Sequence, residues 1–204
     1  FALADKFETL INLFSINERP TGVKDPFGLR RNAIGVIRLL IENNLPLNIR
    51  QLIEKFMPKN SVEKVVDLKN FIDERLINYL KEKNYLSQEI DAVMSLSPDN
   101  LNNIIAKIEA IRVFSALEEA QELAAANKRV SNILKKYQVT NDTEIISSLF
   151  KEPQEKDLYK SLNQQMPIVK KYLEDNNYID ALRGLVVLKD PIDNFFDKVM
   201  VNDK

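Results

Sequence analysis

Apolar residues recur at three- and four-residue spacing from one end of this 204-residue chain to the other, and no convincing strand alternation interrupts that rhythm. Leu3, Phe7, Leu10, Ile11 and Phe14 share one helical stripe. Leu29, Ala33, Val36, Ile37, Leu40 and Ile41 form a second, which Asn43-Asn44-Leu45-Pro46 ends. Asp25-Pro26 before it reads as an N-cap with proline at the first helical position. Asn48 starts a short helix with Leu52, Ile53 and Phe56 inward, stopped by Pro58. Ser61 opens a longer one to about Lys83, striped by Val65, Leu68, Ile72, Leu76 and Tyr79.

The second half repeats the pattern. Ser87 caps a short helix, and Ser97-Pro98 starts another. Ser115-Ala-Leu-Glu118 has capping-box spacing, and Asp142 is placed to cap a short helix toward Phe150. Pro153 begins a helix that Pro167 should break or kink. A helix from Tyr178 to Leu188 follows, and Asp190-Pro191 starts the last, with Ile192, Phe195, Phe196 and Val199 inward. Only 4 glycines are present, which favours helices over glycine-punctuated strands. The nearest strand candidate, Leu185-Val-Val-Leu188, fits a buried helix equally well. The expected fold class is therefore all-α, a multi-helix bundle. The expected boundary lies at 58–61, dividing a first block, 1–58, from a larger one, 59–204.

What the chain lacks limits its chemistry. It has no cysteine, so disulfides and thiolate metal sites are excluded and a reducing, cytoplasmic setting is expected. It has no histidine, which removes Ser–His and Cys–His nucleophile systems and histidine-ligated metals. No apolar run approaches the roughly 20 residues of a membrane span, and no membrane partner is expected. The first residue is Phe1, within an amphipathic helix and without a signal-peptide pattern, which suggests a piece of a longer protein. The 29 basic and 30 acidic residues nearly cancel, so only local patches can indicate an anionic partner.

One such patch is Ala124-Ala-Ala-Asn-Lys-Arg-Val-Ser-Asn-Ile-Leu134 and the two lysines beyond it. On a helical wheel, Leu123, Val130, Ile133, Leu134 and Tyr137 gather on one side. Lys128, Asn132, Lys135 and Lys136 gather on the other, with Arg129 at the edge. Such a face suits nucleic acid, because cations meet phosphates while amides hydrogen-bond to base edges or sugars. A solvated charged face would look the same. Asn127 lies near the apolar side, where bridging neighbouring helices is an equal option. A second cationic group, Arg30 and Arg31, follows the loop Pro20-Thr-Gly-Val-Lys-Asp25, with Arg38 two turns on. These arginines could pair with Asp25 or Asp5, or touch a backbone phosphate. The loop itself precedes a helix N-terminus and could cradle phosphate or simply turn the chain. Carboxylate neighbours such as Asp5 with Glu8 and Asp73 with Glu74 lack a third catalytic group and read as solvated helix surface.

Four segments, in order and across nearly the whole chain, resemble the C-terminal part of the bacterial glycyl-tRNA synthetase β subunit. They are Leu3-Ala-Asp-Lys-Phe-Glu-Thr-Leu10, Pro20-Thr-Gly-Val-Lys-Asp-Pro-Phe-Gly-Leu-Arg-Arg31, Ala124-Ala-Ala-Asn-Lys-Arg-Val-Ser-Asn-Ile-Leu134 and Phe195-Phe-Asp-Lys-Val-Met-Val201. The resemblance implies that 1–58 is the end of an HD-like helical domain. It implies that 59–204 is a DALR-type anticodon-binding domain, the helical type shared with arginyl-tRNA synthetases. The tetrapeptide Asp180-Ala-Leu-Arg183 spells that name. In HD phosphohydrolases the segment around Asp5 would supply a metal ligand. Without histidine no metal site is expected here, and Asp5 is expected to sit near a helix contact instead.

The resemblance further implies a non-catalytic role for this region. The whole enzyme joins glycine to its tRNA with ATP and Mg, and the catalytic site belongs to the α subunit in an expected heterotetramer. No cofactor is expected in this region. Its partners would be glycine tRNA and the α subunit. The residues expected to contact the anticodon stem and loop are Lys128, Arg129, Asn132, Lys135 and Lys136, with Arg30 and Arg31. The alternative is a helical scaffold for subunit contact. A vestigial HD phosphohydrolase is a third reading, opposed by the missing histidines.

Overall fold

A computed structural model describes residues 1–59, 61–137 and 145–199 of the chain. Among them the backbone is helical, joined by turns. Bridge-type pairing is confined to two isolated places, Thr21 with Lys24 and Asn48 with Asn100. The elements are α1 (Ala2–Ser15), α2 (Leu29–Glu42), α3 (Ile49–Phe56), α4 (Val62–Glu82), α5 (Ser87–Met94), α6 (Ile104–Ser115), α7 (Glu118–Tyr137), α8 (Pro153–Glu174), α9 (Tyr178–Gly184) and α10 (Lys189–Lys198). Short 3-10 turns occupy Ser147–Leu149 and Leu185–Leu188.

The chain divides into two compact units, Phe1–Ile108 and Glu109–Lys204, rather than at 58–61. Helix α4 packs against α1, α2 and α3, so the turn at 58–61 lies inside the first unit. Pro58 ends a helix there, but the apolar stripe of α4 needs the first three helices to cover it. Leu68, Ile72, Leu76 and Leu80 are fully buried, with Leu10, Val36, Ile37, Leu40 and Ile53. Each such burial is worth about 1.5–3 kcal/mol. Phe14 and Phe71 lock α1 to α4 with ring centroids 5.1 Å apart. At Gly35 the Lys6 side chain of α1 lies across α2, where a Cβ would fall 2.7 Å from its Cδ.

Several helix starts differ from expectation. Helix α2 begins at Leu29 after Gly28 in the left-handed region (φ 64°), so Pro26 lies in the preceding turn. Asp25 still caps it: its carboxylate accepts from the backbone N–H of Leu29 (2.8 Å) and Arg30 (3.0 Å). Asp25→Ala is therefore expected to destabilise the first unit by about 1–2 kcal/mol in a urea titration, because two N–H groups lose their acceptor. Ser97 has φ 45° and Pro98 sits in a loop, so α6 starts only at Ile104. Ser115 ends α6, donating its hydroxyl to the Arg112 carbonyl (3.0 Å), and forms no capping box for α7. Ser87 is the first residue of α5, whose start is closed by the Glu89 carboxylate accepting from Leu86 N–H (2.9 Å). Asn48 caps α3 as expected, accepting from Gln51 N–H (2.8 Å). Phe56 does not turn inward and is 61% exposed.

Helix α8 runs through Pro167 without a break. The exposed proline removes only one intrahelical bond, whose carbonyl water can reach. Pro153 takes the first position of α8 as expected. The run expected as one helix from Tyr178 to Leu188 is α9 continued as a 3-10 turn. Gly184 marks the change, where a Cβ would meet Gln165 Nε2 at 2.8 Å and Val169 Cγ2 at 3.3 Å on α8. Asp142 lies outside the described residues.

Asp73 is not solvated surface. It holds Lys69, which is only 2% exposed, through both carboxylate oxygens (2.8 and 2.7 Å). Asp99 lies on the other side of Lys69 at 3.7 Å and takes Arg50 at 3.3 Å. The Asp99 carbonyl accepts the N–H of Ile49 (2.9 Å). The group ties α3, α4 and the segment before α6 together. Burial pushes the Asp73 carboxyl above its ordinary value, against the opposing pull of Lys69.

Candidate nucleic-acid interface

Helix α7 has the composition of a stable helix: three consecutive alanines, no glycine and no proline. Glu118 and Glu119 occupy its first turn and Lys135 and Lys136 its last, the arrangement its dipole favours. Lys128, Arg129, Asn132, Lys135 and Lys136 are all exposed. From Lys128 to Lys136 the row spans about 12 Å of helix axis. That is the length of several phosphates along one strand at roughly 3.4 Å each. Among the described residues, no carboxylate lies within ion-pair distance of Lys128, Arg129 or Lys135.

The opposite side of α7 is covered only in part. Leu123, Ala126 and Ile133 are half-buried, whereas Val130 and Leu134 remain 36% and 41% exposed. Asn127 borders an apolar hollow formed with Phe114, Leu123, Val130, Leu188 and Ile192. It is exposed, so it stands at the rim of a helix junction rather than within the cationic row. Lys189 anchors the start of α10 to α7 through Glu122 (2.9 Å) and to its own helix through Asp193 (3.3 Å).

Arg129, at the edge of the wheel, meets α10. Its guanidinium carbon stands 4.0 Å from the centroid of the Phe196 ring. Phe196 in turn packs edge-to-face on Phe195 (5.4 Å). The periodicity assigned Phe196 to the interior. It is half-buried and its exposed ring surface carries the arginine. An aromatic at the rim of one helix facing a wheel-edge arginine on another was the available signal, but sequence spacing does not pair helices.

The first cationic group is arranged differently. Arg30 turns back on its own loop and donates to the Gly22 carbonyl (2.5 Å). Arg38 pairs with Glu42 (2.9 Å). Neither guanidinium takes the Asp25 carboxylate, which is committed to capping α2. Arg31 is exposed. In the loop, Thr21 and Lys24 exchange backbone hydrogen bonds (3.1 and 2.9 Å), so those N–H groups are spent on the turn rather than open to phosphate. Asp5 is exposed, and among the described residues no group of three or more acidic side chains is placed to hold a metal. Arg30 and Arg31 belong to the first unit and the α7 row to the second. Among the described residues no helix is long and apolar enough to cross a membrane.

The tetrapeptide Asp180-Ala-Leu-Arg183 lies in α9, capped by Asn177, with Ala181 buried against its neighbours. Comparison with known proteins matches residues 1–95 to the family described as glycyl-tRNA synthetase beta subunit and residues 123–204 to the DALR anticodon binding domain. The second match contains α8, α9, α10 and all of α7 from Leu123 onward, including the whole cationic row. The chain is 48% identical to the glycine–tRNA ligase beta subunit of Janthinobacterium sp. (strain Marseille), over 98% of this chain and 29% of that protein. It is 46% identical to the protein of that name from Acidovorax sp. (strain JS42), over 98% of this chain and 28% of that one. A third, from Methylobacillus flagellatus, is 45% identical over 98% of this chain and 29% of its own length. The chain thus spans less than a third of the curated relatives it matches. With both halves matched in this order, the chain belongs to the glycyl-tRNA synthetase β-subunit family and carries a DALR anticodon-binding domain.

Proposed function

We propose that this chain binds glycine tRNA through α7, gripping the anticodon stem and loop, as a non-catalytic part of an ATP- and Mg-dependent glycine–tRNA ligase whose reaction is carried by a separate α subunit. One observation supports this reading most: the exposed row Lys128, Arg129, Asn132, Lys135 and Lys136 falls inside the segment that matches the anticodon-binding family. Lysine and arginine supply phosphate affinity that weakens with salt. Asn132 supplies a donor and an acceptor for a base edge presented by an unpaired loop. A convex helix can read such a loop without entering a groove. Arg30 and Arg31 stay in the proposal as a secondary contact, in which Arg31 provides the more available side chain.

The test is a binding titration of the 204-residue chain with glycine tRNA across 50–200 mM salt. Affinity is expected to fall linearly on a double-logarithmic plot, with a slope near −0.7 for each single-stranded phosphate neutralised. A flat plot, or equal binding of an unrelated RNA hairpin, would sink the reading.

A second reading, contact with another subunit, is favoured by one feature of the first unit. An apolar groove between α1 and α3, bordered by Leu3, Phe7, Ile11, Leu47, Leu52 and the exposed Phe56, has no covering element among the described residues. Co-purification of the chain with an α subunit in the absence of tRNA, lost on Phe56→Glu, is the result that reading requires.

A further inference from the structure

We infer that Phe196 is a positioning residue that holds the Arg129 guanidinium flat, so that the outer face of the arginine stacks on one unpaired base of the bound RNA. The inference rests on the tRNA-binding reading and assigns it a specific contact. At 4.0 Å from the ring centroid the guanidinium carbon is at packing distance over the ring face. Stacking flat on the ring face is a favoured geometry for a guanidinium at that distance. The aromatic face attracts the cation and covers one side of it. Arg129 is nevertheless exposed, and no carboxylate among the described residues claims it. A planar cation backed by an aromatic ring, with its other face open, is a platform for a π-system.

The neighbouring residues suit a base rather than a phosphate at this position. Lys128 and Lys135 already provide mobile point charges along the row. Phe196 itself is held by Phe195 and by the packing of α10 on α7 and α8, so the platform has a rigid support. A lysine at position 129 would keep the charge and lose the plane.

The experiment compares the wild-type chain with Arg129→Lys, Phe196→Leu and Phe196→Tyr. The probes are an intact glycine-tRNA anticodon stem-loop and a set of loops each carrying one abasic site. Arg129→Lys and Phe196→Leu are each expected to weaken binding of the intact loop about 10-fold with the salt slope unchanged, and Phe196→Tyr to bind like wild type. One abasic position should cost the wild type the same factor and cost Arg129→Lys nothing further. Thermal melting checks that Phe196→Leu is folded, and Arg129→Lys carries the test if it is not. If Arg129→Lys binds every loop as the wild type does, Arg129 acts as a point charge on phosphate and the inference is overturned. The same holds if all abasic losses add fully to the loss from Arg129→Lys. Should those variants behave as wild type while Lys128→Glu/Arg129→Glu abolishes binding, only this inference falls. If that double reversal is also silent, the tRNA-binding reading falls with it.

Discussion

Lys128→Glu together with Arg129→Glu is expected to weaken binding of glycine tRNA about 100-fold at 100 mM salt, while the far-ultraviolet circular dichroism and melting of the chain stay close to wild type. Loss of Lys128 from a phosphate contact costs roughly tenfold and removes about 0.7 from the salt slope on single-stranded RNA, and loss of the Arg129 base stack costs a similar factor with little effect on the slope, so the slope should fall by about 0.7. Reversal adds repulsion to the loss of attraction, which places this double change above any single neutralisation in the row. Both side chains are exposed, which is why little folding cost is expected. Among the described residues, the specific side-chain contact given up is the stack of Arg129 on Phe196, on the order of 0.5–1 kcal/mol for an exposed pair. Unchanged affinity and slope in the double variant would mean that the partner of this chain docks elsewhere.

Lys69→Ala is expected to be the most destabilising single change outside the apolar core, by about 3–5 kcal/mol in chemical denaturation of the first unit. Lys69 is 2% exposed and stands between Asp73 and Asp99. Its removal leaves the largely covered Asp73 carboxylate without its cation. Arg50 remains on Asp99, at 3.3 Å, and acts on Asp73 only as a weak, longer-range charge. The pH dependence has a definite sign. Burial already raises the Asp73 carboxyl above 3.8, and loss of Lys69 raises it further. A carboxyl whose folded value is raised contributes stability that is present below the unfolded value and lost as pH rises through the folded one. The deficit of Lys69→Ala should therefore be full at pH 7 and shrink on approach to pH 4. Replacing both partners, Lys69→Met with Asp73→Leu, should recover much of the loss, because no charge is then buried alone. A deficit that stays constant with pH would assign the loss to packing rather than to Asp73.

Much of the fold was legible because helical periodicity is a local signal. The stripes of α1, α2 and α4 predicted buried residues that the structure buries: Phe7, Leu10, Leu29, Ala33, Leu68 and Ile72. Helix starts were less legible where a hydroxyl followed by proline suggested a cap. At Ser97-Pro98 the chain instead makes a loop whose Asp99 serves the Lys69 group, so a tertiary demand displaces the local one. Asp25 acts as a cap, but across Gly28, whose positive φ sequence spacing does not reveal. Phe56 follows the right spacing yet faces outward, since α3 is only two turns long and Ile49 and Ile53 suffice to seat it.

The candidate interface divides in the same way. Lys128, Asn132, Lys135 and Lys136 share a face because residues three and four apart adjoin on any helix, and no neighbour is needed to say so. What only the tertiary structure decided is which of the charges are held and by what. Arg30 folds back onto Gly22 and Arg38 onto Glu42, and Arg129 lies over a ring sixty-seven positions away in sequence. Helical spacing, set by backbone hydrogen bonding, was sufficient to establish an all-α chain with one cationic helix face, and its motifs were sufficient to place it in a synthetase family. The division at Ile108, the buried Lys69 group and the Arg129–Phe196 stack depend on which helices meet, and that is settled by side-chain packing across long stretches of sequence.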